Sequence, residues 1–335
     1  MTMTSTVKFA QSRPRGRKIA RLTTDLWLVV AVIVVTLGIA SQRPQLLDAV
    51  NIATVLKSFS IMVVMVLGLT WVIASGKIDV SFMQVAALSN MICAYALAQG
   101  WSWGGAIVVA LLAGALVGLI NGWLVASMRL PALIVTISTA GICASIAAAL
   151  GKGTVIRIAD PGPLEPLLQP ALGGAVPMIV VPVLLIAAVA WFVQERLSFG
   201  RYIYALGQNE AAVRAVGVPV VKLTVILFVL SGVSSALAGI LLASSLSSGQ
   251  PMIGGPFLIN GLTVVLLGGM MVRVGKPNIL GTLTATLFIG VLFSGATLLG
   301  LPDFQRQIIQ GGLLLTGLIV ATIAASHHGA RTAGQ

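Results

Sequence analysis

Few residues in this 335-residue chain can do chemistry, and their placement limits what that chemistry is. There are eight Asp and Glu, two His and two Cys. His327 and His328 are adjacent in a polar stretch that offers none of the partners a zinc or catalytic site needs. Cys93 and Cys143 each lie inside an apolar run, where a thiol packs as a small hydrophobe, and no CxxC pair or disulfide framework exists. The sequence has no HExxH, no paired acids inside an apolar run and no GxxxxGKS/T phosphate loop. A membrane-embedded enzyme needs one of the first two, and an ATPase needs the third. Asp79 is the acid nearest to an apolar interior, and acids at a membrane edge are candidates for function. Its simpler role is to cap the helix that begins near Phe82 and to form an ion pair with Lys77. No acid falls at the middle of a run, which argues against an ion-coupled transporter.

Two other groups of residues suit binding. The first is FGRYIYALGQNEAAVRAVGV, Phe199 to Val218. Asn209 is a good helix N-cap, Glu210 then suits the positive end of the helix dipole, and Gly217 suits the C-terminal turn. The pattern predicts a two-turn helix from Glu210 to Val216. Ala212, Ala215 and Val216 fall at i, i+3 and i+4 and give it a small, flat apolar face. Such a face fits a partner's groove. It lacks the Leu, Phe or Trp that anchors a helix in lipid headgroups. The second group is uncharged and polar inside apolar runs: Asn90, Asn121, Ser138, Thr139, Ser231, Ser234, Ser235, Asn260 and Gln310. Each can serve helix–helix hydrogen bonding. Asn90, Asn121, Ser138, Thr139, Ser234 and Asn260 are also the candidates to line a wet path, and as a set they suit a neutral polar solute better than an ion.

The elements that carry these residues are membrane helices. Apolar residues make up 58% of the chain and charged residues 8%, too few to cover a soluble surface. The apolar residues form ten runs. They are Leu26–Ala40, Val55–Ser75, Phe82–Ala98, Ala106–Ser127, Ala132–Leu150, Val176–Val193, Leu223–Ser244, Ile253–Val272, Ile279–Leu299 and Ile308–Ala325. The expected fold is all-α: a polytopic membrane helix bundle of about ten transmembrane helices. The first run is expected to stay uncleaved, although Gly38-Ile39-Ala40 has the small-x-small form of a processing site. Gly254, Gly255 and Pro256 threaten the start of the eighth. Pro161, Pro163, Pro166 and Pro170 exclude regular helix from the outer loop 151–174. Gly68-Leu69-Thr70 and Gly261-Leu262-Thr263 hint at a parallel internal repeat.

The net charge of +12 has a membrane explanation. With the N-terminus inside, the inner segments hold 15 of the 20 Lys and Arg, six of them in the tail 1–24. The rest are Lys77, Arg129, Arg196, Arg201, Arg214, Lys222, Arg273, Lys276 and Arg331. This is the positive-inside pattern, so the partner is a lipid bilayer and not nucleic acid. Residues 1–24 and 326–335 become cytoplasmic tails around a membrane domain at 25–325, and the loop 194–222 is cytoplasmic.

Phe199 to Val218 closely resembles the cytoplasmic loop of permease subunits in ribose-type bacterial ABC importers. LINGWLVASMRLPALIVTIST, Leu119 to Thr139, and LSGVSSALAGILLASSLSSGQP, Leu230 to Pro251, resemble other segments of the same class. The resemblance runs from about residue 50 to 325. It implies a coupling helix that docks on a separate ATPase subunit, carried here by Asn209, Glu210, Ala211, Ala212, Arg214 and Gly217. It also implies an extracytoplasmic solute-binding protein, a second permease chain (identical or not) and a place in the bacterial inner membrane. ATP and magnesium would belong to the ATPase, with no cofactor in this chain. The implied cargo is a monosaccharide, with a branched-chain amino acid, a nucleoside or a furanose signal as alternatives. The sequence departs from the class at Lys77 and Met83, where its pattern has glycine, and beside Gly275, where it has a glycine pair. These departures suggest reshaped inner turns and one half of an unequal pair. A reporter fused after Gln335 is expected to read cytoplasmic; an external signal would mean that the span count is wrong by one.

Overall fold

The computed structural model describes residues 26–272 and 275–332. The predicted basic tail 1–24 lies outside the described residues. The chain begins with α1, Trp27–Gln42, and a short 3-10 turn, Pro44–Leu47. Four helices follow: α2 Ala49–Ala74, α3 Phe82–Ala98, α4 Trp103–Ala126 and α5 Ala132–Leu150. The next stretch is short and irregular, with β1 Ile156–Arg157, α6 Glu165–Leu168, β2 Pro170–Leu172 and β3 Val176–Pro177. Then come α7 Val180–Arg196, α8 Ser198–Gln208, α9 Glu210–Ala215 and α10 Val220–Leu246. The chain ends with β4 Ser248–Gly249, α11 Phe257–Gly268, α12 Ile279–Leu298 and α13 Asp303–Thr332.

Each of the ten apolar runs contains a helix. Among the described residues, α2, α4, α5, α10 and α12 are individually long and apolar enough to cross a membrane, and α7 with α8 forms one further pair bent by 68°. The ends differ from expectation where backbone chemistry intervenes. The sixth helix starts at Val180 and not at Val176, because Val176–Pro177 pairs with β2 and Pro177 has no N–H to give a helix. The eighth is only Phe257–Gly268. Turns occupy residues 251–256, and Gly254 lies so close to the Met83 carbonyl that a Cβ there would sit 2.6 Å from it. At 12 residues α11 is about 18 Å long, shorter than the roughly 30 Å hydrocarbon core. The last helix starts at Asp303 and runs to Thr332, through most of the predicted tail 326–335; no proline interrupts the Ala-rich stretch around 321–325. The loop 151–174 holds β1, which pairs with β4 in antiparallel register, and the one-turn α6.

The bundle is arranged around α2, in which every residue from Phe59 to Val72 is buried. Helices α4 and α10 approach each other backbone to backbone. Gly114, Gly118 and Gly122 recur every four residues and form a flat stripe on α4. A Cβ at Gly118 would lie 2.3 Å from the carbonyl oxygen of Phe228, and one at Gly232 would lie 2.2 Å from that of Gly114. On another side of α10, a Cβ at Gly68 of α2 would lie 2.4 Å from the Ser231 Cα. Backbone therefore touches backbone on two sides of α10, and any side chain there must drive helices apart.

Gly118→Leu is expected to reduce the yield of monodisperse protein in mild detergent by fivefold or more, since overpacking alone costs about 1–3 kcal/mol. Gly141→Leu on α5, where no atom lies within 4 Å of the added Cβ, should leave the yield unchanged in the same chromatographic assay.

Candidate functional site

The predicted short helix exists as α9, and its caps form as the residue types require. The Asn209 side chain accepts a hydrogen bond from the Ala212 N–H at 3.0 Å. The Gly217 N–H donates to the Arg214 carbonyl at 3.1 Å, and Gly217 takes a φ of 82° that suits glycine. Val213 is buried and anchors the helix, while Ala211, Ala212, Arg214, Ala215 and Val216 are exposed. The small face at Ala212, Ala215 and Val216 is therefore free to meet a partner.

Beneath it, α8 lies across one end of the bundle. The bend at Leu197 is a single residue in extended conformation. Gly200 packs directly on the Gln194 carbonyl and Gly207 on the Ala74 carbonyl. Phe199 meets Trp71 of α2 edge to face at 5.6 Å. The Gln194 side chain donates to the Pro277 carbonyl and accepts from the Ile279 N–H, and the Tyr204 hydroxyl also donates to Pro277. These contacts tie α7 and α8 to the start of α12.

Lys77 corrects one expectation. It does not pair with Asp79; its Nζ lies 2.9 Å from Oε2 of Glu210. Oε1 of Glu210 takes Arg214 at 3.0 Å, one turn along α9. The hydrogen bond from Lys77 is the main force holding the Glu210 carboxyl below its ordinary value of 4.5, and Arg214 adds to it against partial burial. Asp79 does not cap α3 alone. Its Oδ1 accepts from the Ser81 N–H and hydroxyl at 2.8 and 2.6 Å, and its Oδ2 accepts from Ser231 of α10 at 2.7 Å. Asn121 of α4 donates to Ser81, and the Val80 N–H donates to Thr136 of α5. Neutral donors thus hold one buried carboxylate and link α3, α4, α5 and α10 to a single loop.

Of the path candidates, Asn121 and Ser234 join the Asp79 network through Ser81 and Ser231, and the others bond elsewhere. Asn90 is buried; it donates to the Ser248 and Gly239 carbonyls and accepts from the Gln250 N–H at 2.7 Å. Buried Asn121 uses its amide N–H on Ser81, and its Oδ1 has no partner among the described residues. Ser234 accepts from the Gly68 N–H and donates to the Ser231 carbonyl. Asn260 of α11 accepts from Gln310 of α13. Thr139 is half-buried and bonds back to Val135, whereas Ser138 is exposed on α5 and bonds back to Ile134. Sequence reasoning missed Lys77 as the partner of Glu210, and Ser81 and Thr136 as holders of the Asp79 loop. The first signal was present as a lysine in place of a glycine. The other two are ordinary hydroxyls with no mark in the sequence.

Residues 51–318 match the family described as the branched-chain amino acid transport system permease component, and the chain belongs to that family. It is 31% identical over 304 residues to the ribose import permease protein of Haemophilus influenzae, covering 90% of this chain and 94% of that protein. The ribose import permease protein of Escherichia coli K12 is 30% identical over 310 residues, covering 90% of this chain and 96% of its own length. The autoinducer 2 import system permease protein of Photorhabdus laumondii is 30% identical over 298 residues, covering 87% of this chain and 88% of that protein. The chain is thus a permease component, not an enzyme, and a multi-pass protein of the bacterial inner membrane.

A group with a lowered pKa adds stability that is complete above its unfolded value and is lost as pH falls through the folded one. Wild type is therefore expected to melt above Glu210→Gln at neutral pH. The difference should begin to shrink near pH 4.5 and vanish below the depressed value, as read by thermal melts of detergent-purified protein across pH.

Proposed function

We propose that this chain forms, with a second permease chain, the membrane path of an ATP-driven importer for a small neutral polar solute of the monosaccharide class. The observation that carries the reading is α9: a capped helix with an exposed small face, strutted to the bundle, in a chain that matches permeases along most of its length. Both termini are cytoplasmic in this reading, and α9 faces the cytoplasm with them. An ATPase subunit that holds ATP and magnesium docks on Asn209, Glu210, Ala211, Ala212, Arg214 and Gly217. A solute-binding protein docks on the outer face, which includes the loop 151–174.

The proposed cargo follows from the relatives named for ribose and from an interior with little free charge. The two carboxylate oxygens of Asp79 are taken by serines. The path wall is placed on the exposed face of α5, which presents Ser138, Gly141 and Ser145. Thr139 lies at the edge of that face. Asn90, Asn121, Ser234 and Asn260 are assigned to helix–helix bonding in this state, since each is held by protein groups. The Photorhabdus relative supports a second reading in which the solute is a signal of the autoinducer 2 kind.

The test is mild-detergent purification of the tagged chain from its native membrane, with mass spectrometry of what comes with it. An ATPase carrying a phosphate loop is expected, and a second, different permease in the mixture would establish an unequal pair. A chain recovered alone that transports solute in proteoliposomes without ATP would overturn the proposal.

A further inference from the structure

A groove of about 600 Å³ runs beside α9, lined by Arg129, Glu210, Ala211, Arg214 and Ala215. Its far wall is the turn between α4 and α5. Building on the docking role of α9, we propose that this groove is a cationic socket that receives a carboxylate of the ATPase subunit. Arg129 is the receiving group, and Glu210, within the docking face, is a positioning residue that holds Lys77 and Arg214.

The assignment rests on how the charges are spent. Glu210 is the one acid at the groove, and both of its oxygens are engaged within the chain, by Lys77 and Arg214. Its single negative charge is thus met within the chain by two cations. Arg214 in turn has its NH2 group on Glu210. Arg129 has no ion pair or hydrogen bond among the described residues, and it is exposed. Lys77, Arg129 and Arg214 thus stand against a single carboxylate, and the excess positive charge falls at Arg129.

The backbone sharpens the point. Arg129 has a φ of 55°, in the left-handed region that side-chain-bearing residues rarely adopt. Strain of this kind persists where the surrounding structure over-determines it, and it gathers at binding sites. Here it sets the side chain at the rim of the groove. A guanidinium takes a carboxylate through two parallel hydrogen bonds, and the methyl walls at Ala211 and Ala215 leave room for a side chain to approach. A lipid headgroup is the weaker occupant. The short α9 has no bulky apolar residue to hold it in the interface, and its exposed apolar residues are alanines and Val216.

The test uses the intact permease–ATPase complex. Arg129→Lys places at this position an amine that a carbodiimide joins directly to a neighbouring carboxylate. Peptide mass spectrometry is expected to find residue 129 joined to an Asp or Glu of the ATPase. Arg129→Glu, at an unchanged membrane level and with a monodisperse elution profile, should lower recovery of the ATPase tenfold or more. The socket is overturned if Lys at 129 joins only to carboxylates of its own chain or to none while the complex stays intact. It is equally overturned if Arg129→Glu retains the ATPase as wild type does. Native mass spectrometry in which Arg129→Gln loses a bound anionic lipid while keeping the ATPase would assign the groove to a headgroup instead. If wild type itself recovers no ATPase, the docking role of α9 fails, and the socket fails with it. If Arg129→Glu does not fold, the conservative lysine variant decides alone.

Discussion

Lipid gives helices no hydrophobic reason to pack on one another, because the tails are as apolar as leucine. What holds this bundle is close fit, as where α10 meets α4 and α2 with no side chain between the backbones. Dispersion contacts fall off steeply with separation, so a stripe such as Gly114, Gly118 and Gly122 gains most from direct approach. The rest of the interior depends on it. Asp79 can accept from Ser231 only because the loop before α3 and the middle of α10 lie side by side. Asn121 can reach Ser81 only because α4 is drawn against the same helix. Glycine contact sets the distance, and the buried hydrogen bonds use it.

The end of the bundle that carries α9 is built on a different principle. The Tyr204 hydroxyl of α8 donates to the Pro277 carbonyl, and Phe199 of α8 packs against Trp71 of α2. The ion pair between Lys77 and Glu210 then joins α9 to the loop after α2, two turns of chain that lie 133 residues apart in sequence. An exposed ion pair by itself contributes little, about 0–1 kcal/mol. Its value here is directional. It fixes which way a two-turn helix points, and so which of its faces is open.

Much of the architecture was legible. Each long apolar run located a helix, and Asn209 with Gly217 bracketed α9 because capping is a local matter of one side chain and its neighbours. The loop 194–222 was legible as a loop with a short capped helix but not as an elbow, since the bend at Leu197 goes with the packing of Gly200 on the turn before it. The helix end at Val180 was set by a local hairpin and that at Phe257 by crowding against Met83, neither of which hydropathy carries. That α2 is central could not be read either; its composition matches that of helices that face lipid. An amide or hydroxyl in an apolar run, such as Asn90 or Ser234, reads the same in sequence whether it meets solute or a neighbouring carbonyl. Arg129 was counted as one more positive-inside charge, and nothing in its neighbours announced its backbone twist.

The elbow at Leu197 also makes α8 a bell crank. It is an arm of 11 residues, about 16 Å long, joined to α7 through one extended residue and carrying α9 at its other end. A tilt of roughly 10° would move that end by about 3 Å at this arm length. The arm has two outputs. One runs through Phe199 and Gly207 to α2, at the centre of the bundle. The other runs through Gln194, Tyr204 and Pro277 to the first turn of α12. A single push at α9 is thereby geared to two helices at once, and stiffening or softening either linkage would change how that push is divided between them.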